Sequence, residues 1–131
     1  MKGDTEMETQ QLFEIKFTSI IEWDLEPNCE HVLGLLESGV EMDSDEKAFA
    51  EFANAPRRIV VNRQYNKTYA VAISVEAVKA VKKELLRRKA ELEHARYDER
   101  DNRDGCRAFT SLINQCITVI KSCNKVLVEH G

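Results

Sequence analysis

One short segment brings together side chains that could do nucleophilic or metal chemistry. Cys29 and His31 are separated only by Glu30. Nucleophilic catalysis needs a thiolate, a base and a group that orients the base, and zinc sites use a second pair of ligands at a fixed spacing. The other histidines and cysteines lie far away in sequence. We therefore expect a buried thiol, a surface histidine, no metal and no cofactor. An enzyme that uses Cys29 and His31 is the least supported alternative.

Carboxylates are concentrated in two short runs, Glu22–Glu26 and Glu41–Glu46. General acid–base chemistry needs two carboxylates in different, partly buried environments, whereas these runs are typical of a solvated surface. Neither run has the spacing or the central glycine of a calcium-binding loop. The expectation is an acidic solvent-exposed face. The alternative is a surface that docks a basic protein or imitates a phosphate backbone.

Arginines are the best candidates for ligand binding. Arg57 and Arg58 begin a β-rich segment that also contains Tyr69, and Arg103 and Arg107 are four residues apart near the start of the last predicted helix. Guanidinium groups bind phosphate in a bidentate geometry, and tyrosine rings can stack on bases. The positive end of a helix dipole lies at its first turn and also favours an anion. These five residues are the predicted ligand-binding residues.

Two alternatives exist for the basic residues. The helical arginines have acidic neighbours four residues away, as in Glu84 with Arg88, and such pairs stabilise an isolated helix. The basic residues of the β-rich segment could instead bind nucleic acid. That alternative uses Arg57, Arg58, Arg63 and Lys67.

Two stretches of the sequence have the patterns of β-strands. Residues 12–23 alternate between apolar and polar side chains, which predicts a half-buried strand. A turn over residues 24–28 follows, because this stretch contains Pro27. Residues 57–73 contain two β-branched or aromatic runs around Asn66 and predict a β-hairpin. The apolar positions of the first strand are Phe13, Ile15, Phe17, Ile21 and Trp23.

Helical patterns fill the rest of the chain. A short helix over residues 29–38 should end at Gly39, and Asp43 with Glu46 predicts a capping box for a second short helix that Pro56 closes. Ser74 should cap a long helix over residues 75–100 whose apolar seam Arg88 interrupts. After a reversal at residues 98–105, the last helix covers residues 106–128. Its apolar arc is wider than one neighbouring helix requires, which suggests contact with the sheet or with a second copy.

These elements predict a single α+β domain. The expected architecture is a small antiparallel sheet of about three strands with short helices and a long C-terminal antiparallel helical hairpin. Residues 1–10 are expected to form a flexible tail, residues 12–73 to be mainly β with two short helices, and residues 75–128 to form the hairpin. The hairpin is also the predicted interface of a homo-oligomer.

Charge divides the chain into two unlike halves. Residues 1–56 contain 14 acidic residues against three lysines, and residues 57–131 contain 16 basic residues against nine acidic ones. Such a division suggests two faces, or two copies, that meet through opposite potentials. Apolar content of 43% and charged content of 32% are typical of a globular protein. The polar first residues do not resemble a signal peptide, so a cytoplasmic protein with reduced cysteines is expected.

The segment from Arg103 to Phe109, with Arg107 four residues after the first arginine, resembles one group of small bacteriophage anti-defence proteins. This group comprises the sponges that counter Thoeris-type defence by sequestering nucleotide signals. The resemblance covers the size of the chain and the element order over about residues 57–131. It implies a non-enzymatic, oligomeric protein in the cytosol of the host cell, which sequesters a nucleotide-like anion or blocks a defence protein. The alternative is a nucleic-acid-binding regulator that uses the basic hairpin.

Overall fold

The computed structural model describes residues 11–131 and has the predicted α+β architecture. The expected tail at residues 1–10 lies outside the described residues. A three-stranded antiparallel sheet is combined with four helices. In chain order the elements are β1 (Phe13–Thr18), α1 (Ser19–Ser38), α2 (Ser44–Asn54), β2 (Arg58–Asn62), β3 (Lys67–Ile73), α3 (Val75–Asp98) and α4 (Arg103–His130).

The sheet has the strand order β1–β3–β2. The predicted hairpin is confirmed as β2 and β3, and β1 adds to the far side of β3 with Phe13 opposite Ile73 and Thr18 opposite Thr68. One sheet face carries buried apolar side chains such as Ile15 and Val71, which pack on the helices. Because β3 is the central strand, β1 and β2 are both edge strands.

The predicted strand over residues 12–23 is wrong beyond Thr18. The Thr18 side chain accepts a hydrogen bond from the backbone N–H of Ile21 at 3.4 Å and caps α1. From Ile21 onward the buried residues recur every three or four positions, as Leu25 and Cys29 illustrate. This helical period overlaps the end of the alternating pattern. Trp23, which the alternation assigned to the buried face, is instead 71% exposed.

The predicted turn at residues 24–28 is also wrong, since α1 continues through Pro27 to Ser38. Proline removes one backbone donor and crowds the preceding turn of a helix. Pro27 lies on the exposed face of α1, where water can satisfy the carbonyl that loses its partner. With α1 this long, residues 12–73 are not mainly β. The predicted end at Gly39 is confirmed, and Gly39 adopts the left-handed conformation with φ 75°.

The remaining helix starts follow the capping signals in the sequence. Asp43 and Glu46 form the predicted capping box of α2, with reciprocal hydrogen bonds of 2.8 and 3.0 Å. Ser74 caps α3 as predicted. Asn102 caps α4, so this helix begins at Arg103, three residues before the predicted start, and Gly105 lies in its first turn. Helices α3 and α4 form the predicted antiparallel hairpin.

The wide apolar arc of α4 is covered within the chain to a large extent. Besides α3, the helix packs against β1 and α1. Five of its residues are buried, and Ile117 is partly buried against the same core. β1 and α1 therefore cover the part of the arc for which the sequence suggested the sheet or a second copy. The homo-oligomer predicted through residues 75–128 stays a prediction. The wide apolar arc of α4 no longer supports it, because contacts within the chain cover most of that arc.

The two oppositely charged halves of the sequence meet inside one chain. Acidic residues of the first half form ion pairs with basic residues of the second half at four places. The pairs are Glu14–Arg58, Glu22–Arg57, Asp24–Arg88 and Asp45–Lys83. The charge division thus matches the way in which the first strand and first two helices pack on the rest of the domain. No helix within residues 11–131 has the length and apolar character needed to cross a membrane.

Candidate functional site

A cleft of about 430 Å³ opens between α1, α2 and α3. Its volume falls within the range of small-molecule sites in proteins, roughly 300–1,000 Å³. Three helices contribute its walls, and the hairpin of β2 and β3 separates α2 from α3 in the sequence. The lining residues are Asn28, His31 and Val32 of α1, Asp45, Glu46 and Phe49 of α2, and Ala80, Lys83, Glu84 and Arg87 of α3.

The floor of the cleft is apolar. Val32, Phe49 and Ala80 are each less than 10% exposed and belong to the hydrophobic core. Each of them lies on the core-facing side of its helix, and Ala80 leaves space above the floor because it has only a methyl group. A flat apolar body could therefore lie against these three side chains and gain the free energy of apolar burial.

One side of the rim is an exposed ion pair between α2 and α3. The Lys83 ammonium contacts the Asp45 carboxylate, and the two side chains are 72% and 61% exposed. The hydrogen bond to Asp45 raises the pKa of Lys83 above its usual value. Exposed ion pairs contribute little to stability because solvent screens them. Lys83 can consequently exchange Asp45 for another anion without a large loss of folding stability.

The other side of the rim is a hydrogen-bonded cluster around Glu84. Asn28 Nδ2 donates to Glu84 Oε2 at 2.7 Å, and Arg87 donates from Nε and Nη2 to the same carboxylate at 3.0 and 2.9 Å. The hydrogen bonds from Arg87, and to a smaller extent that from Asn28, lower the pKa of Glu84 and keep its carboxylate ionised. Because three side chains hold one another, this part of the rim is ordered before any ligand arrives. Sequence reasoning placed Arg88, rather than Arg87, beside Glu84.

The structure separates the thiol and imidazole that sequence reasoning considered together. His31 lines the cleft, whereas Cys29 lies two residues away on a different face of α1, beside Glu22 and Arg57. Burial raises the pKa of Cys29 to about 11, so the thiol stays protonated near neutral pH and is a weak nucleophile. Geometry and protonation both argue against a Cys29–His31 pair in catalysis.

Arg57, a predicted ligand-binding residue, points inward. Its guanidinium donates to Glu22 at 2.9 and 3.2 Å and to the carbonyl oxygens of Phe52 and Ala55 at 2.6 and 2.7 Å. The Arg57 Cζ atom lies 4.6 Å from the centre of the Phe52 ring, and only 15% of the side chain is exposed. Arg57 therefore joins α1, α2 and β2, and these contacts occupy the guanidinium that a phosphate would need.

The other predicted ligand-binding residues lie at separate places. Arg58 is exposed on β2 and pairs with Glu14, and Tyr69 is half-buried on β3 with its ring 6.0 Å from that of Phe17. Arg103 and Arg107 are exposed at the start of α4, and no ion pair within residues 11–131 involves either of them.

A hydrogen bond between Thr18 and Gln115 shows where α4 meets the end of β1. Arg107 precedes Gln115 by eight residues, or about 12 Å along the helix. The structure therefore does not bring the five predicted residues together into one site.

One of the acidic runs is not the solvated face that the sequence suggested. The Asp24 side chain is only 3% exposed and is held by Arg88, with N–O distances of 2.9 to 3.2 Å. Arg88 interrupts the apolar seam of α3 because it neutralises this buried carboxylate. Among the described residues, no group of three or more His, Cys, Asp or Glu side chains is placed to hold a metal ion.

Comparison with protein-family models, with curated proteins and with solved structures found no match to this chain. The cleft is therefore argued from its own geometry. Sequence reasoning missed it, although one signal was present: Ala80, Lys83, Glu84 and Arg87 share one face of α3 at helical spacing. What the sequence did not indicate is that α1 and α2 would face these residues.

Proposed function

We propose that this protein is a non-enzymatic binding protein that sequesters a small ligand in the cleft between α1, α2 and α3. The observation that carries the proposal is the apolar floor of Val32, Phe49 and Ala80 beneath an ordered, ionised rim. Small-molecule sites are typically concave and mostly apolar, with a few convergent polar groups that orient the ligand. The proposed ligand has a flat apolar body and one anionic group.

The rim suits an anion that replaces an existing partner. Lys83 and Arg87 supply two cations against three carboxylates, so the lining carries a net charge of −1, and Arg87 is already held by Glu84 and Glu91. Lys83 is therefore the cation that an incoming anion can reach. An incoming phosphate or carboxylate would take the place of Asp45 on Lys83, an exchange that an exposed ion pair permits at small cost. The nucleotide-like anion expected from the sequence fits this arrangement, with its base on the floor and its phosphate at Lys83.

The wider role stays a proposal that rests on the resemblance described above. In it, a phage-encoded protein in the host cytosol withdraws a nucleotide signal from a defence system or blocks a defence protein. The second candidate, nucleic-acid binding through the basic hairpin, loses Arg57, which Glu22 and two carbonyl oxygens hold in a largely buried position. Arg58 keeps only an exposed ion pair with Glu14.

Calorimetric titration with three probes tests the cleft. AMP supplies a base and a phosphate, adenosine supplies the base alone, and inorganic phosphate supplies the anion alone. We expect AMP to bind more tightly than either part, because only AMP meets both the floor and the rim. Lys83→Ala should weaken the binding of AMP and leave that of adenosine nearly unchanged.

A cleft-filling variant with a matched control completes the test. Ala80→Leu extends a side chain into the cleft and should abolish the binding of AMP, whereas Ala90→Leu makes the same change on the exposed side of α3 and should have no effect. Thermal unfolding of both variants checks that they are folded. Equal affinity of Ala80→Leu and Ala90→Leu for AMP would show that the ligand lies elsewhere, and no heat with any probe would remove the nucleotide-like ligand from the proposal.

A further inference from the structure

The edge strand β2 differs from the other edge of the sheet. All five of its residues are exposed, and three of them are consecutive β-branched apolar residues: Ile59 is 48% exposed, and Val60 and Val61 are 37% exposed. On one side β2 pairs with β3, and on the other side no strand of the described chain pairs with it. Its outer backbone groups are therefore available to another strand.

The opposite edge, β1, shows how this protein protects a strand. Helix α4 packs alongside β1, and the outward-facing side chains Glu14 and Lys16 are charged. Charged residues, β-bulges and covering helices are the usual means by which natural sheets avoid unwanted pairing. β2 has a bulge between Ile59 and Val61 and the charged Arg58 at its start, but no charged residue within Ile59–Val61.

From this contrast we propose that β2 pairs antiparallel with β2 of a second copy of the chain, which joins two three-stranded sheets into one of six strands. A two-fold axis at Val60, the position of the bulge, brings the apolar runs Ile59–Val61 of the two copies side by side. It also places Arg58 opposite Asn62 and, one position beyond the strand, Arg57 opposite Arg63 of the other copy.

Charge neutralisation at this edge favours a second copy over an acidic partner. The two arginines at the start of the edge are already paired, Arg57 with Glu22 and Arg58 with Glu14. Arg57, which the axis sets against Arg63 of the other copy, is thus neutralised by Glu22, and this limits the repulsion between two identical edges.

Disulfide trapping tests this geometry directly. Residues opposite each other in an antiparallel pair have Cα atoms about 4.5–5.5 Å apart, a separation that a disulfide can bridge. Val60→Cys, made in a Cys106→Ser background, should form a covalent dimer rapidly under mild oxidation. Val128→Cys in the same background is the control, because Val128 is more exposed, at 85%, but far from the proposed axis. Equal cross-linking of the two variants would overturn the proposal.

Light scattering on the full chain supplies the second readout. We expect a mass twice the 15.0 kDa of one chain, which Ile59→Lys with Val61→Lys should halve without loss of thermal stability. Leu86→Lys places a single lysine on the exposed face of α3 and should leave the dimer intact. A wild-type monomer, or a dimer that Leu86→Lys dissociates and the β2 variant does not, would contradict pairing through β2. The second of these results would favour the hairpin interface instead.

Discussion

The ion pair between Asp24 and Arg88 provides the sharpest test of the packing between α1 and α3. The Asp24 carboxylate is 3% exposed, and three guanidinium contacts between 2.9 and 3.2 Å satisfy it. Removal of one partner from a buried pair leaves an uncompensated charge and typically costs about 3–5 kcal/mol. Arg88→Leu should therefore destabilise the domain by about that amount, even though leucine would complete the apolar seam of α3.

The reverse substitution should cost less. In Asp24→Leu the remaining guanidinium is 34% exposed and keeps a contact with Glu91, so we expect a loss of about 1–2 kcal/mol. The double variant buries two apolar side chains and should recover part of the loss, which gives a coupling free energy of about 1–3 kcal/mol. For a chain of this size each kcal/mol corresponds to roughly 3–5 °C in Tm.

Urea denaturation followed by circular dichroism measures all four corners of this cycle. Arg87→Leu is the matched control, because the neighbouring arginine is 52% exposed and pairs at the surface, so its loss should be about 1 kcal/mol or less. If Arg88→Leu costs no more than Arg87→Leu and the coupling is near zero, the account of a buried Asp24 that needs Arg88 is wrong.

Further substitutions and the thiols test other parts of the structure. Arg57→Lys should destabilise the domain by about 1.5–3 kcal/mol, because lysine cannot reproduce the bidentate contacts and the two carbonyl bonds, whereas Arg58→Ala should change urea stability by only about 0.5 kcal/mol. A thiol reagent at neutral pH should modify Cys106 first and the three buried cysteines slowly, with four modified sites after denaturation, as mass spectrometry can count. Burial raises the pKa of those three thiols from 9.0 to about 11 to 12. As pH rises, the unfolded chain therefore loses these protons before the folded chain does. The free energy of unfolding in urea should consequently fall between about pH 9 and pH 12. The double replacement of Arg103 and Arg107 by alanine should leave Tm unchanged or raise it slightly, because cations at a helix N-terminus are unfavourable, and it should abolish phosphate binding in calorimetry only if these residues form the anion site predicted from the sequence.

Local signals in the sequence were sufficient for much of the fold. Asp43 with Glu46, Ser74 and Gly39 marked helix ends because capping depends on side chains within a few residues. The hairpin of β2 and β3 was predicted because its two β-branched or aromatic runs and the turn at Asn66 are also adjacent in the sequence. The start of α1 was missed because Ile21 satisfies both an alternating and a helical period, so that local pattern alone could not choose between strand and helix.

The candidate site depended on contacts between residues distant in sequence. Asn28 meets Glu84, and Asp45 meets Lys83, across 56 and 38 residues. The residue pattern of a single helix does not indicate which residues of another helix it will contact. The same reason explains Arg57, which looked like a free cation from the sequence and is held by Glu22 in the structure. Charge division between the two halves was visible, but which charges pair depends on the fold.

The central claim, that the cleft holds a small ligand, is tested most directly by native mass spectrometry of protein purified from the cells that produce it. We expect the wild-type chain and Ala90→Leu to carry the same small-molecule adduct above the mass of the polypeptide, and Ala80→Leu to lack it. Tandem fragmentation of the adduct should then reveal an apolar or aromatic body with an anionic group. An adduct that persists in Ala80→Leu, or bare polypeptide in the wild type and Ala90→Leu alike, would contradict the account.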